Sequence, residues 1–332
     1  MSRINNKIEA HDRTVFQVLS ERKYTVDYFQ REYNWSTKHI EQLVTDLTST
    51  FLTEYSAGDK REKGADYNNY YLGPFVVSEK DNHRSIIDGQ QRLTSLTLFL
   101  IFLNHLQEKM GVSEKLESMI FSELRGVKSF NIQVEERTNC LENLFSEGEY
   151  VAKNGDDEST INMTERYDDI TIAFPDEITS HSLPFFIDWM KYNVILVEII
   201  AYSDDNAYTI FETMNDRGLN LTSTEMLKGY VLSRFGENEK RQQANMIWKD
   251  AVHKLHGWDK DEDQRFFQAW FRSQYAETIR QGSSGSKNED FEKIGTRFHS
   301  WVRDNLDKMD LDPNSSADFN RLINRDLGFY LN

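Results

Sequence analysis

Five consecutive residues at positions 88–92, Asp-Gly-Gln-Gln-Arg, combine a turn-forming glycine with four polar side chains. Apolar residues before them predict a short buried strand, and the apolar spacing after them predicts a helix. Gly89 permits a tight turn, and the first amides of a helix lack intrahelical partners, so they attract anions. Arg92 adds a permanently charged donor. The turn therefore predicts a phosphate site, whereas a simpler interpretation makes Asp88 a helix cap and Gly89 a hinge.

A second group of polar residues lies among aromatic ones near the N-terminus. Gln30 and Arg31 come shortly before Tyr33 and Trp35. Guanidinium and aromatic planes stack on nucleobases, and a glutamine amide can hydrogen-bond a base edge or a phosphate. This group predicts contact with a nucleotide. The alternative is a surface loop that Tyr33 and Trp35 pin to the core.

A third group follows the segment 211–214. Gly218 is typical of a helix end, and Thr222 with Glu225 has the spacing of a capping box. Capping does not explain three further residues, which would offer an amide and two cations to a polyphosphate: Asn215, Arg217 and Lys228.

The elements that must position these groups are of mixed type. The patterns predict helices over about 12–20, 37–55 and 206–215, and strands over about 75–77, 84–87 and 193–200. The polar segment 111–190 is predicted to be a variable insertion that leaves the core. Beyond residue 225 nearly every segment is compatible with a helix, except a Gly/Ser-rich loop at 281–286.

These patterns predict an α+β fold in three parts. A core domain over 1–110 receives a strand and a motif from 190–228, the insertion spans 111–190, and a mainly α-helical domain spans 229–332. The apolar C-terminal end suggests a chain cut from a longer polypeptide, and the alternative is a natural end at residue 332.

Composition narrows the class of protein. The 332 residues are 38% hydrophobic and 28% charged, as in soluble globular proteins. No apolar run approaches the ~20 residues of a membrane span, and the N-terminus has no signal-peptide core, so we expect a cytoplasmic protein.

Cys140 is the single cysteine, which excludes an internal disulfide and favours a structural thiol. A net charge of −16 argues against a uniformly basic surface, so any DNA contact must be local.

In order, the three motifs resemble those of the N-terminal domain of the GmrSD/SspE family of modification-dependent restriction and phage-defence proteins. The hallmark Asp-Gly-Gln-Gln-Arg stands unbroken at 88–92, and the family's Gln-Arg-x-Tyr-x-Trp matches 30–35. Its Asn-x-Arg-Gly-x-x-Leu-Thr matches 215–222, with Lys228 beyond. The resemblance runs from about residue 10 to about residue 235.

This resemblance implies a small mixed sheet similar to the ParB and sulfiredoxin fold. It also implies a nucleoside triphosphatase that senses modified DNA and regulates a His-Asn-His (HNH) nuclease domain or subunit, for which this chain has no motif. GTP is the first expectation, with UTP, CTP and ATP open, and Mg²⁺ is the expected cofactor. The alternative is a nucleotide-dependent DNA-binding switch or clamp with little hydrolysis. The sequence leaves a homodimer open.

Chemistry and resemblance together suggest the residue roles. Asp88 would hold Mg²⁺ or orient the attacking water, Gln90 and Gln91 would position water or the γ-phosphate, and Arg92 would hold the phosphates. The expected nucleotide-binding residues are Gln30, Arg31, Gly89, Asn215, Arg217, Gly218 and Lys228.

A surface for sensing the DNA modification is expected close to the nucleotide motif. Phosphorothioate is the first expectation, because its sulfur is less strongly hydrated than a phosphate oxygen and suits an apolar pocket beside a few donors. A glucosylated base would need a roomier polar cavity. The residues expected to form this surface are Tyr28, Phe29, Gln30, Tyr33, Pro74, Phe75 and Val76.

Overall fold

The computed structural model describes residues 8–20, 22–26, 32–80, 83–124, 126–133, 137–153, 155–202, 206, 210, 222–277 and 288–331. The chain divides into two compact units, residues 1–27 with 32–207 and residues 28–31 with 208–332. The second unit therefore begins before the predicted boundary at residue 229.

A mixed sheet forms one layer of the first unit. Its strands lie in the order β1-β8-β3-β4-β2-β7. The β1/β8 and β3/β4 pairs are antiparallel, whereas β3/β8, β2/β4 and β2/β7 are parallel. A separate antiparallel pair consists of β5 and β6. The strand bounds are β1 (Ile8–Thr14), β2 (Tyr24–Val26), β3 (Tyr70–Lys80), β4 (His83–Asp88), β5 (Phe121–Leu124), β6 (Val127–Phe130), β7 (Ile132–Gln133) and β8 (Val194–Ala201).

The helices of the first unit cover the sheet and surround a central helix, α3. Because α3 is apolar on nearly every side, it is buried among other elements instead of lying at the surface. It packs against α4, α5 and α6, while α2 packs against α6 and α7. The helix bounds are α1 (Val15–Leu19), α2 (Thr37–Glu54), α3 (Gln90–Lys109), α4 (Glu117–Ile120), α5 (Thr138–Glu147), α6 (Glu158–Ala173) and α7 (Leu183–Tyr192), with a 3₁₀ turn at Arg61–Asp66.

The segment 111–190 is part of this core, so the prediction that it leaves the core is wrong. Helix α6 buries Met163, Tyr167 and Ile170 at intervals of four and three residues, which is the spacing of one helical face. Helix α7 likewise buries Phe186 and Trp189. Polar residues occupy the other faces of these helices. The segment therefore reads as polar on average, and its amphipathic pattern is hard to recognise in the sequence.

The predicted helix over 12–20 also needs correction, because residues up to Thr14 form the edge strand β1 and the helix starts at Val15. Thr14 caps that helix by accepting a hydrogen bond from the backbone amide of Gln17. Strand β1 is anchored through Arg13, whose Nε lies 3.0 Å from Oε2 of the buried Glu198 on β8. Charged residues are frequent on edge strands, and here they masked the strand pattern.

The secondary-structure elements described in the second unit are all helices or helical turns. Its helices are α8 (Ser223–Ser233), α9 (Asn238–His256), α10 (Glu262–Gln274), α11 (Asn288–Thr296), α12 (Phe298–Asp304), α13 (Ser316–Arg321) and α14 (Gly328–Leu331), with a 3₁₀ turn at Leu306–Met309 and a π-helical turn at Leu322–Leu327. The predicted α+β class, a mixed sheet followed by a mainly helical part, is confirmed. Similarity to the ParB and sulfiredoxin fold stays a prediction.

Candidate functional site

The 88–92 turn joins β4 to α3, as predicted. Asp88 ends β4 and pairs with Val76 of β3. Gly89 occupies the N-cap position of α3 with φ 94° and ψ 3°, and its carbonyl accepts a hydrogen bond from the amide of Leu93 at 3.0 Å. The cap position is therefore Gly89 and not Asp88. Because glycine has no side chain, the residue at this position cannot satisfy the first amides of α3.

Close packing against β3 explains why position 89 is glycine. A Cβ atom added there would lie 2.6 Å from Cβ of Phe75, which is fully buried. Its positive φ is also unfavourable for any residue with a side chain. The turn thus requires glycine on both steric and conformational grounds.

The guanidinium of Arg92 lies over the backbone of β3. Its Nη1 donates a hydrogen bond to the carbonyl of Pro74 at 2.6 Å. A Cβ atom on the preceding Gly73 would lie 3.2 Å from Cζ of Arg92, so the absence of a side chain at Gly73 leaves space for the guanidinium. The arginine and the two residues of β3 form one compact arrangement beside the start of α3.

Arg92 is a largely desolvated cation. Burial lowers the pKa of Arg92 below its ordinary value, and the charge of Asp88 partly opposes this effect. Within the part of the chain that the structure describes, no carboxylate forms an ion pair with Arg92. A largely buried cation that forms no ion pair favours an anion beside it, even where a carboxylate lies nearby. The arrangement can therefore hold a phosphate-like group.

Asp88 is the acidic residue of this turn and the residue that the sequence predicts to hold Mg²⁺. Among the described residues, no three His, Cys, Asp or Glu side chains come together as a metal site. Mg²⁺ commonly keeps several waters and binds through one or two carboxylates plus substrate phosphates. A single aspartate beside an anion site fits a Mg²⁺ ion that arrives with a phosphate, but it does not fit a resident metal.

Sequence comparison identifies the family. The sequence profile described as the N-terminal domain of the GmrSD restriction endonuclease matches residues 15–232, more than half of the chain. The chain belongs to this family. It is therefore a protein of a restriction system for modified DNA. No curated protein matches it significantly.

In the described part of the chain, no helix combines the length and the apolar character that crossing a membrane requires.

In this GmrSD N-terminal domain, the two glutamines of the turn are engaged within the protein. Oε1 of Gln91 accepts a hydrogen bond from the amide of Asn34 at 2.8 Å, and its Nε2 donates to the carbonyl of Glu32 at 2.9 Å. Gln90 is 1% exposed. The predicted contacts of Gln90 and Gln91 with water or a γ-phosphate would require both side chains to leave these positions.

The structure corrects the predicted DNA-facing surface. The side chains of Tyr33, Phe75 and Val76 are fully buried, so they cannot form an exposed surface in this conformation. The hydroxyl of Tyr33 is 2.8 Å from Oγ of Ser95 in α3, which matches the alternative in which Tyr33 pins its segment to the core. Pro74 is half-buried and stays in the prediction.

Several predicted residues lie outside the described part of the chain: Tyr28, Phe29, Gln30, Arg31, Asn215, Arg217 and Gly218. Lys228 lies on α8 of the second unit. The capping box predicted for α8 is confirmed, because the Thr222 side chain accepts from the amide of Glu225 and the Glu225 carboxylate accepts from the amide of Thr222.

Sequence reasoning missed some residues around the turn. Gly73 could have been identified from the sequence, because a Gly-Pro pair inside an apolar strand indicates a bulge. Strand β3 does shift its register against β8 there. The backbone of Glu32 and Asn34 had no such signal, because nothing local indicates a bond to Gln91, 57 residues or more away.

Cys140 is a free, buried thiol in α5, as expected for a structural cysteine. Burial raises the pKa of Cys140 from 9.0 to about 11, although a hydrogen bond to Thr164 partly opposes this shift. At pH 8 about one thiol in a thousand would be ionised even if it were accessible.

We therefore expect no reaction of native protein with a thiol reagent such as DTNB at pH 8, and release of one equivalent after unfolding in guanidinium chloride. At a pH between the ordinary thiol pKa and 11, the thiol is ionised in the unfolded chain but stays protonated in the folded one. The contribution of Cys140 to stability therefore falls as the pH rises. Rapid stoichiometric labelling of native protein at pH 8 would contradict the burial of this thiol.

Proposed function

We propose that this chain binds a nucleoside triphosphate at the 88–92 turn, hydrolyses it, and couples hydrolysis to the recognition of modified DNA. The observation that carries the proposal is the largely buried guanidinium of Arg92, which forms no ion pair within the described residues and lies beside the start of α3. Helix amides and an arginine fork are complementary to phosphate oxygens.

Each residue of the turn has a distinct role in this proposal. Gly89 places the backbone so that the first amides of α3 remain available to an anion, and Arg92 neutralises phosphate charge. Asp88 would contribute one oxygen to a Mg²⁺ ion bound mainly by the phosphates; the ion would offset charge on the transferred group. Six residues outside the turn stay assigned to nucleotide contacts as predictions from the sequence: Gln30, Arg31, Asn215, Arg217, Gly218 and Lys228.

The proposal assigns GTP as the first substrate and phosphorothioate as the first DNA mark. The net charge of −16 favours a local DNA contact over a broad basic surface. Four residues remain assigned to sensing the mark: Tyr28, Phe29, Gln30 and Pro74. The proposed output is control of an HNH nuclease domain or subunit, which agrees with the restriction system to which the family belongs.

The test measures phosphate release from GTP, UTP, CTP and ATP, with Mg²⁺, in the presence of three duplexes of identical sequence. One is unmodified, one carries phosphorothioates and one carries glucosylated bases. We expect turnover of at least one nucleotide, with GTP fastest, and stimulation by the phosphorothioate duplex. Equal rates and equal affinity with all three duplexes would exclude the sensing part of the proposal, and the absence of both binding and turnover would exclude the nucleotide part.

A nucleotide-dependent DNA-binding switch is a second candidate. It is favoured by the engagement of Gln90 and Gln91 inside the protein, because the two amides expected to orient water do not face solvent. Tight nucleotide binding that changes DNA affinity without phosphate release would select this candidate over the triphosphatase.

Gly73 provides a prediction about the anion site. In Gly73→Ala the new methyl group would press on the guanidinium of Arg92 at 3.2 Å, and the φ of 114° is unfavourable for alanine. We expect GTP affinity to fall about tenfold, because displaced donors bind the phosphates more weakly. We expect the free energy of unfolding to fall by about 1–2 kcal/mol. Calorimetric titration and urea unfolding measure the two effects.

Gly111→Ala is the matched control for this change. Gly111 also has a positive φ, of 68°, but a Cβ atom there would meet nothing within 4 Å. It should lose similar stability while keeping wild-type GTP affinity. Equal affinities in the two variants would show that the space at Gly73 does not serve Arg92.

A further inference from the structure

A cavity of about 460 Å³ lies within the second unit, where α13 continues through the π-helical turn into α14. Its volume is in the range of ~300–1,000 Å³ that is usual for small-ligand sites. Every described residue that lines it lies beyond residue 232, where the family match ends. The cavity is therefore separate in sequence from the three motifs assigned to the nucleotide.

Two tyrosines give the cavity an aromatic wall. Tyr275 and Tyr330 both line it, and both rings rest on the aromatic core of the unit. The ring centroid of Tyr330 lies 4.9 Å from that of Trp270, and the centroid of Tyr275 lies 6.3 Å from that of Trp301. Within the described residues, neither tyrosine hydroxyl has a hydrogen-bond partner. The wall thus combines planar apolar surface with two hydroxyls that can still bind a ligand.

The π-helical turn supplies polar groups to the same cavity. It buries three apolar residues, which fix it to the core, while Arg325 and Asp326 line the cavity. Short π-helical segments are rare and occur frequently at functional sites. Nε of Arg325 donates to Oδ1 of Asp326 at 2.8 Å. In the described part of the chain this bond leaves both Nη groups of Arg325 and Oδ2 of Asp326 without a hydrogen-bond partner.

The second arginine of the cavity, Arg321, is engaged in the fold. Its Nη2 donates to the backbone carbonyl of Asp310, and its Nη1 lies 3.5 Å and 3.6 Å from the carboxylates of Asp310 and Asp318. Two arginines and two aspartates are present in the described lining, so their formal charges cancel. A cavity without net charge does not select for a phosphate and suits a neutral ligand with polar edges.

The tyrosine wall and the polar groups enclose the same space. Burial raises the pKa of Tyr275, the charge of Asp326 raises it further, and Arg321 and Arg325 partly oppose the shift. The Tyr275 hydroxyl therefore stays protonated at neutral pH and remains both a donor and an acceptor for a ligand.

A nucleobase is complementary to this set of groups. Bases stack on aromatic rings, and their edges carry acceptors and amino donors close together. The two Nη groups of an arginine match a pair of acceptors such as O6 and N7 of guanine, and a carboxylate oxygen accepts from an amino group. DNA is also the polymer on which the restriction system of this family acts.

Phe329 favours a base within a strand over a free nucleoside. It lines the cavity although it is 74% exposed, so it lies at the opening, and its ring centroid is 5.1 Å from that of Tyr330. An apolar ring at this place can contact the next base of a strand, whereas a free nucleoside would leave it in water.

We propose that this cavity receives an unstacked nucleobase of a DNA strand. Tyr275 and Tyr330 would stack on the base, while Arg325 and Asp326 would bind its edge. Such a base is most available where DNA is single-stranded, unpaired or distorted, because its removal from the stack then costs least. This DNA contact does not depend on nucleotide hydrolysis at the 88–92 turn.

Two duplexes of identical sequence test the proposal with the whole chain. One contains a single unpaired guanine, and in the other an abasic residue replaces that guanine. Fluorescence anisotropy at low salt, where an acidic protein is repelled least strongly relative to its local cations, measures both affinities. We expect about tenfold tighter binding of the duplex with the unpaired base, because the abasic duplex cannot stack on the tyrosines. Equal affinities would overturn the proposal.

Arg325→Ala removes the unengaged guanidinium from an exposed position and should lower the tenfold preference to about threefold. Arg265→Ala is its matched control. Arg265 is an exposed arginine of α10 that pairs with Glu262 and Asp259 outside the cavity, so its loss should leave the preference unchanged. Near-ultraviolet circular dichroism confirms that both variants are folded. A wild-type preference in Arg325→Ala would contradict the proposed contact.

Phe329→Ala tests the neighbouring base. It should weaken binding of the duplex with the unpaired guanine about fivefold. Trp258→Ala removes another aromatic residue of the same unit, which is 83% exposed and lies outside the cavity, and should leave the affinity unchanged. Equal affinities of the two variants would overturn the assignment of the cavity to a strand.

Free deoxyguanosine distinguishes the two sources of a base. It has no phosphate and so does not compete for Arg92. We expect it to bind about a hundredfold more weakly than the duplex, because a strand adds contacts at the opening. Binding as tight as that of the duplex would overturn the assignment to DNA. Arg92→Ala should keep the tenfold preference, so failure of this site is distinguishable from failure of the nucleotide site.

Discussion

Replacing Arg92 with alanine will lower kcat/KM for nucleotide hydrolysis by about a hundredfold or more while leaving the fold intact. Loss of one preorganised charged donor commonly costs about 10²–10³ in rate. We expect the free energy of unfolding to change by no more than about 1 kcal/mol. Burying the charged guanidinium, which lowers the pKa of Arg92, costs free energy in the folded state, so removing the guanidinium offsets the packing that is lost. The substitution should therefore lower activity strongly and leave stability almost unchanged.

Arg84→Ala is the matched control for Arg92. Arg84 lies on β4 and its Nε is 3.0 Å from the carboxylate of Glu79, with both side chains partly exposed. Its removal should lower the free energy of unfolding by less than about 1 kcal/mol and should leave hydrolysis unchanged. Phosphate-release kinetics and urea unfolding of the two variants supply the comparison. A fully active Arg92→Ala protein would exclude the assignment of this arginine to the phosphates.

Gly89→Ala will be the most damaging single change to the turn. Its methyl carbon would lie 2.6 Å from Cβ of Phe75, and the turn would have to keep an alanine at φ 94°. We expect the free energy of unfolding to fall by about 2–4 kcal/mol, from the conformational cost together with displacement of a packed core residue. Nucleotide binding should be lost as well, because the amides at the start of α3 would move.

Two other glycines separate the causes of that effect. Gly111→Ala has the unfavourable φ without a steric contact and should lose about 1 kcal/mol, whereas Gly64→Ala has neither and should remain within about 0.5 kcal/mol of wild type. Urea unfolding of the three variants measures the series. Equal losses in Gly89→Ala and Gly111→Ala would show that contact with Phe75 contributes nothing.

Local signals in the sequence predicted much of the fold around the turn. The glycine, the apolar strand before it and the apolar helix after it lie within one stretch of chain, and the structure places them as β4, Gly89 and α3. The same holds for β8 and for the capping box at Thr222. In each case the residues that determine the element are its own residues or its immediate neighbours.

Contacts between distant segments were not predictable in the same way. Gln91 and the 32–35 backbone are about sixty residues apart in the chain. Ser159 and Asn162, which hydrogen-bond the backbone of Tyr33, come from a segment whose polar composition concealed three buried helical faces. Burial of Phe75 and Val76 was also hidden, because an apolar strand pattern does not reveal whether its faces are covered.

The most direct test is a crystal structure of the protein with a non-hydrolysable GTP analogue and Mg²⁺. The account predicts a phosphate group within hydrogen-bonding distance of the Arg92 guanidinium and of backbone amides at the start of α3, with Asp88 facing the metal. It also predicts that Gln91 keeps its bonds to residues 32 and 34. An analogue bound with its phosphates away from Arg92, while that arginine still contacts only the carbonyl of Pro74, would contradict the central claim.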